Sequence, residues 1–196
     1  MALSFFLSGW AGRDIRQDDS AEQLFSRYRS SRNTDYLAKL MVLHGNDLYH
    51  FLLRQSDQLL AEDISQQCWL KLLEQPDSYR GLSQFKTWLF SVARNCLIDE
   101  LRKLQRWQPG ADSELLLLQS PGIEQQLIQS QQQLMLSKQL SLLPFFQREA
   151  LMLQLEGFSM ADICDITQQH EETIKSRLRY AKSFLQRVAG GQDVKA

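Results

Sequence analysis

Apolar residues recur along most of the chain at helical rather than strand spacing. The run AEQLFSRYR after Ser20 can start a helix. Thr34 to Gln55 carries Leu37, Leu40, Met41, Leu48, Phe51 and Leu52 at spacings that fit one buried face, and Gly45-Asn46 leaves a break in it open. Leu59 to Leu73 forms another helix, ended at Gln75-Pro76-Asp77 because proline cannot continue a helix and biases its predecessor away from one. Pro76 to Ser83 reads as a loop. The most regular stretch follows, with Phe85, Trp88, Leu89, Val92, Ala93, Cys96, Leu97, Leu101 and Leu104 forming the stripe of a long amphipathic helix. Alternating runs rich in Val, Ile and Thr are missing, so the pattern predicts an all-α fold.

The character changes at Gln108. Pro109, Gly110, Ser120, Pro121 and Gly122 flank a Leu115–Leu118 patch, and a glutamine-rich segment comes next. This divides the chain into an N-terminal extension (1–19), a helical domain (20–107), a flexible linker (108–125), a second helical domain (126–190) and a tail (191–196). Four consecutive leucines suit docking on a domain or partner better than a solvated linker. In the second domain a helix runs to Leu143, Pro144 opens the next and Gly157 closes it. Ser159 to Asp162 has capping-box form and starts a short helix. After Thr167 to His170 comes a final helix, Glu171 to Val188, with the stripe Ile174, Leu178, Ala181, Leu185 and Val188. A short helix, a tight turn and a longer helix describe a helix-turn-helix.

Composition narrows the classes. A net charge of −1 does not mark the whole chain as a nucleic-acid binder, so any such role needs local basic clusters. Cys68, Cys96 and Cys164 lack zinc spacing and fall in apolar stripes, which predicts reduced, buried thiols. His44, His50 and His170 are scattered, and no phosphate loop or nucleophile motif is present. The expectation is a protein without catalytic residues, metal, cofactor or small-molecule substrate. The apolar start, Met1 to Trp10, has no basic flank and is too short to span a bilayer, so a cytoplasmic protein without membrane insertion is expected.

Three clusters carry candidate chemistry. The final helix shows Glu172, Thr173, Lys175, Ser176, Arg177, Arg179 and Lys182 off its stripe, side chains suited to base edges and phosphates in a major groove. The Phe85 helix and its approach loop carry Arg80, Lys86, Arg94, Arg102, Lys103 and Arg106, interleaved with Tyr79, Phe90 and Trp107 outside the stripe. Basic residues with exposed rings suit single-stranded DNA, the charge following the backbone and the rings stacking on bases. Glu62, Asp63, Gln66, Gln67 and Trp69 form a polar face with one large aromatic, a pattern common at protein interfaces.

In this order the clusters resemble the extracytoplasmic-function sigma factors of bacterial RNA polymerase. AEDISQQCWLKLL (Ala61 to Leu73) is similar to the family's A-E-D-x-x-Q-E-x-F helix. FKTWLFSVARNCLIDELRK (Phe85 to Lys103) resembles F-x-T-W-L-x-x-I-A-x-N-x-x-x-D-x-x-R. LPFFQREALMLQLEGFSMADICDITQQHEETIKSRLRYAKSFL (Leu143 to Leu185) resembles L-P-x-x-x-R followed by a helix-turn-helix ending in T-V-K-S-R-L-x-R-A. The resemblance implies docking on core RNA polymerase through Asp63, Gln66, Gln67 and Trp69. It implies minus-ten recognition and melting through Tyr79, Arg80, Lys86, Phe90, Arg94, Asn95, Arg102 and Lys103, with the loop Pro76 to Gln84 cupping a flipped base. The upstream minus-thirty-five element would meet Glu172, Thr173, Lys175, Ser176, Arg177, Arg179 and Lys182. A cognate anti-sigma partner and a compact free form, in which the domains mask each other's DNA surfaces, are further implications. Gln66-Gln67 replaces the usual Q-E, Gln168-Gln169-His170 replaces a hydrophobic-Gly turn, and Cys164 stands where alanine is common. A second reading, a stand-alone helix-turn-helix regulator with an N-terminal sensor or dimerisation domain, accounts for the last helices but not for the basic-aromatic one.

Overall fold

The computed structural model describes residues 19–107 and 138–189, and every regular element among them is helical. The helices are α1 (Ala21–Ser31), α2 (Thr34–Gln55), α3 (Gln58–Glu74), α4 (Phe85–Trp107), α5 (Phe145–Leu155), α6 (Met160–Thr167) and α7 (Glu171–Ala189), with a 3-10 turn at Pro76–Ser78. The N-terminal extension, the linker with Leu115–Leu118, the side chains of Arg106 and Trp107, and the C-terminal tail lie outside the described residues.

Local chemistry explains most helix ends. Ser20 and Gln23 form a capping box on α1, Asp57 caps α3, and Ser159 with Asp162 forms the capping box expected on α6. No break occurs at Gly45-Asn46, and α2 runs unbroken through both. The helix α4 lacks a cap from its own flank. Its first amide, Phe85 N–H, donates instead to Glu22 Oε1 of α1 at 3.0 Å. Gly157 takes φ +86° just beyond α5, a conformation that suits a residue without Cβ.

Helices α1 to α4 enclose one apolar core, with Phe25, Leu40, Phe51, Ile64, Phe85, Leu89 and Leu97 essentially inaccessible. Helices α5 to α7 enclose a second around Phe145, Leu153, Ile166, Ile174 and Ala181. The two units are packed together, α4 lying on α6 and α2 on α5. The Phe90 ring bridges the cores, 5.3 Å from Phe51 and 4.8 Å from Phe158 between centroids.

Candidate nucleic-acid and polymerase interfaces

Helix α3 turns Asp63, Gln66 and Gln67 outward, while Trp69 is buried. Trp69 faces α2, where a Cβ placed on Gly45 would stand 4.0 Å from its Cζ2 atom. The expectation of an exposed aromatic is corrected here: the ring is packed against α2 beside the glycine. Leu59, Leu70 and Leu73 are the exposed apolar side chains of this helix.

On the approach loop, Tyr79 is also buried, a second correction. Its ring packs within 5.4 Å of Phe25, Phe85 and Trp88, and its hydroxyl donates to Ser83 O at 2.6 Å. Tyr79 therefore shapes the loop from inside. Gly81 turns the loop at φ +75°. A cavity of about 330 Å³ opens between the loop and α1, lined by Glu22, Phe25, Ser26, Arg29, Tyr79, Arg80, Gly81, Ser83 and Gln84. The bond from Phe85 N–H holds the Glu22 carboxyl below its ordinary value.

The basic face of α4 is split. Arg80, Asn95, Arg102 and Lys103 are exposed, with Arg102 and Lys103 paired along the helix to Asp99 and Glu100. Phe90 is fully buried, correcting its assignment to an exposed stacking position: the side of α4 outside the stripe is covered by the second unit. Lys86 and Arg94 lie on that same covered side. Lys86 Nζ donates to Asp47 Oδ2 at 2.9 Å and to Glu156 O at 3.3 Å, and it sits over the Phe90 and Phe158 rings. Thr87 Oγ1 bonds Asp162 Oδ1 at 2.9 Å. Arg94 grips Glu149 of α5 with Nε at 2.8 Å and Nη2 at 3.4 Å.

Glu149 is inaccessible to solvent. Burial pushes its carboxyl above the ordinary value, against the pull of Arg94, Arg177 and Arg148. The adjacent Arg148 is buried as well, its Nε donating to Gln55 Oε1 at the end of α2 and its Nη1 to Leu143 O. Asp47, Gln55, Glu149 and Glu156 were not singled out from the sequence, where Arg148 stood only as the arginine of the L-P-x-x-x-R match and Asp162 only in the capping box. A signal was available: Arg148-Glu149 is a charged pair inside the otherwise apolar helix LPFFQREALMLQL.

In the helix-turn-helix, Gln168 caps α6 in the left-handed conformation, φ 53° and ψ 43°, where glycine is at ease. Glu172, Lys175, Ser176, Arg179 and Lys182 are exposed on α7 and Thr173 is half-buried. Lys175 pairs with Glu171 at 2.9 Å and Glu172 at 3.0 Å, which raises its pKa. Arg177 is a further correction. It turns inward, its guanidinium 4.7 Å from the centroid of the Phe146 ring, with Nη1 buried and unpaired among the described residues. Its position, three after Ile174 and four before Ala181, puts it on the core side of α7.

The thiols differ from expectation too. Cys68 is buried, but Cys96 and Cys164 are only partly so. Among the described residues no cluster of His, Cys, Asp or Glu could hold a metal, and no helix is long and apolar enough to cross a membrane.

A helical unit with an exposed Asn-Arg-Lys edge, joined to a helix-turn-helix, defines a class of two-domain transcription factor. Comparison with known proteins makes this specific. Residues 40–107 match the model of Sigma-70 region 2, and residues 133–185 match that of Sigma-70, region 4. The chain is 32% identical over 149 residues to the ECF RNA polymerase sigma factor SigM of Bacillus subtilis, covering 75% of this chain and 91% of that one. It is 35% identical over 128 residues to the ECF RNA polymerase sigma factor EcfG of Rhodopseudomonas palustris, covering 64% and 68%. The fold matches the sigma factor RpoE from Bartonella quintana, solved with the anti-sigma factor NepR, at a TM-score of 0.66 and 29% identity over 82% of this chain and 99% of that one. It also matches CnrH, solved with the cytosolic domain of CnrY, at a TM-score of 0.63 and 16% identity over 89% of this chain and 100% of that one, a likeness of fold. The chain belongs to the ECF RNA polymerase sigma factors of the sigma-70 family.

Proposed function

We propose that this sigma factor binds core RNA polymerase, recognises minus-ten and minus-thirty-five promoter elements and promotes strand opening, with residues 20–107 and 126–190 as its two working domains. It acts in the cytoplasm and performs no catalysis itself. The observation that carries the reading is the order of the two units. Region 2, with Asn95, Arg102 and Lys103 exposed on α4, precedes a region 4 helix-turn-helix that exposes Lys175, Ser176, Arg179 and Lys182. A stand-alone regulator gives no reason for the first unit.

Asp63, Gln66 and Gln67 meet the polymerase, with Trp69 holding α3 in place from behind. The cavity beside the Pro76 to Gln84 loop receives an unpaired base, Arg80 meets the strand near it, and Tyr79 sets the loop's shape. Lys86 and Arg94 reach DNA only after the two units part, because Asp47, Glu156 and Glu149 occupy them in the packed form. Phe90 is released by the same opening, whereas Arg177 stays against Phe146 of its own unit. On this reading the carboxylates stand in for phosphates, and the packed chain is the idle form. By the likeness to RpoE, which was solved with NepR, a cognate anti-sigma partner holds the factor inactive.

Run-off transcription with purified core polymerase and a pool of promoter fragments tests the reading. Specific transcripts are expected, lost with Asn95→Ala and weakened with Arg179→Ala. Duplex binding without core binding or transcripts would return the chain to the regulator reading.

A further inference from the structure

Among the described residues Leu82 is the most exposed large apolar side chain, 91% accessible, at the tip of the loop that leads into α4. A single exposed leucine on a surface is ordinary. Its setting is not. Tyr79 O–H donates to Ser83 O at 2.6 Å, which ties together the two sides of the Arg80–Gly81–Leu82 tip. The Tyr79 ring is fixed among Phe25, Phe85 and Trp88, and Phe85 N–H is held by Glu22 just beyond the tip. Gly81 takes φ +75° one residue before the leucine. The tip is therefore anchored on both sides, and Leu82 is held out in water instead of folding back onto the core.

Its chain neighbours Arg80, Gly81, Ser83 and Gln84 line the cavity of about 330 Å³ beside α1, and Leu82 is outside that lining. We propose that Leu82 is a wedge for strand separation. It enters the base stack at the step from which the unpaired base departs, while the cavity beside it holds that base. This rests on the reading of the cavity as a base site. Extruding a base costs stacking and leaves a gap in the duplex. An apolar side chain pushed into a base step fills such a gap, as aliphatic residues do in proteins that kink DNA. A leucine offers carbon surface and no hydrogen bonds, so it parts the stack without choosing between bases. The choice belongs to the cavity.

Preorganisation makes one leucine effective. The ties at Tyr79 and Phe85 are made before DNA arrives, so little ordering remains to oppose insertion. Arg80, exposed on the same tip, supplies a cation for the phosphate at the opened step. The exposed leucines of α3, Leu59, Leu70 and Leu73, share the helix assigned to the polymerase, whereas Leu82 stands on the loop assigned to DNA.

The test uses holoenzyme assembled from the full chain and core polymerase, on two templates made from one promoter of the run-off pool. One is a duplex carrying 2-aminopurine in the minus-ten element, and the other is the same fragment with that element left unpaired by mismatches. On the duplex, Leu82→Ala should slow the fluorescence rise and the appearance of transcript about tenfold, as the loss of three partly buried carbons implies. On the unpaired template it should initiate at the wild-type rate. Leu82→Met should keep the duplex rate within about twofold, since it conserves apolar volume. Opening of the duplex by Leu82→Ala at the wild-type rate would overturn the wedge. An equal loss on both templates would overturn it too, because a general DNA contact does not distinguish them. Ser26→Trp, which fills the cavity from the exposed side of α1, tests the base site separately and should slow initiation on both templates. If Ser26→Trp matches wild type on both, the base site falls and the proposal with it. If Ser26→Trp is impaired while Leu82→Ala is not, the wedge alone falls.

Discussion

Replacing Arg94 by glutamine removes the guanidinium that pairs with Glu149 across the two units. The side chains are 12% and 0% exposed and meet at 2.8 Å, so solvent screens the pair little. Removing one member of a buried ion pair costs about 3–5 kcal/mol, because the other charge is left buried. At about 1.4 kcal/mol per tenfold, the packed arrangement should lose roughly two to three and a half powers of ten against the parted one. The effect should depend on pH with a definite sign. Burial already raises the Glu149 carboxyl above its ordinary 4.5, and losing Arg94 raises it further. A group whose folded pKa is raised contributes stability that is complete below its unfolded value and is lost as pH rises through the folded one. Arg94→Gln should therefore be compact in mild acid and parted at neutral and alkaline pH, while Arg94→Lys keeps part of the pairing. Small-angle scattering across that range, with thermal unfolding alongside, measures it. An unchanged radius of gyration at every pH, together with a wild-type melting curve, would refute the claim that this pair holds the units together.

Three further outcomes follow from local geometry. Gly45→Ala should raise stability by about 0.5–1 kcal/mol, since it removes a helix-interior glycine and its Cβ meets Trp69 at an ordinary 4.0 Å; a melting temperature higher by about 1–4 °C checks it. Gln168→Gly should stabilise by about 0.5–1 kcal/mol by relieving the left-handed backbone at φ 53°, and Gln168→Val should destabilise by at least ~1 kcal/mol; denaturant titrations that gave both the same sign would contradict this. Glu22→Gln should flatten the acid limb of the stability curve. The lowered Glu22 pKa contributes stability present above the ordinary value, 4.5, and lost as pH falls through the folded one, which urea unfolding at successive acid pH values would follow.

The helices were legible in the sequence because their causes are local. Apolar residues at helical spacing mark a buried face wherever they occur, and Ser20, Ser159 and Pro76 act on amides and carbonyls within a few residues. The family was legible for the same reason, its motifs being continuous stretches. The start of α4 was located by its stripe, but its cap comes from Glu22, 63 residues away, which no reading of the flank could find.

What the sequence by itself determined is therefore the set of helices, the helix-turn-helix and the basic faces as composition. Only the tertiary structure decided which of those charges and rings are free. Periodicity separates the inner from the outer face of a single helix, and it cannot tell whether the outer face meets water or another helix. Lys86, Phe90 and Arg94 lie on such a face of α4 and are covered by α5, α6 and the Phe158 turn. Trp69 and Tyr79 are buried because large rings near Gly45 and inside a folded loop gain more by leaving water than by remaining at the surface. The Glu149 carboxylate tolerates burial because Arg94, Arg148 and Arg177 converge on it from three helices, a convergence that exists only once the chain has folded.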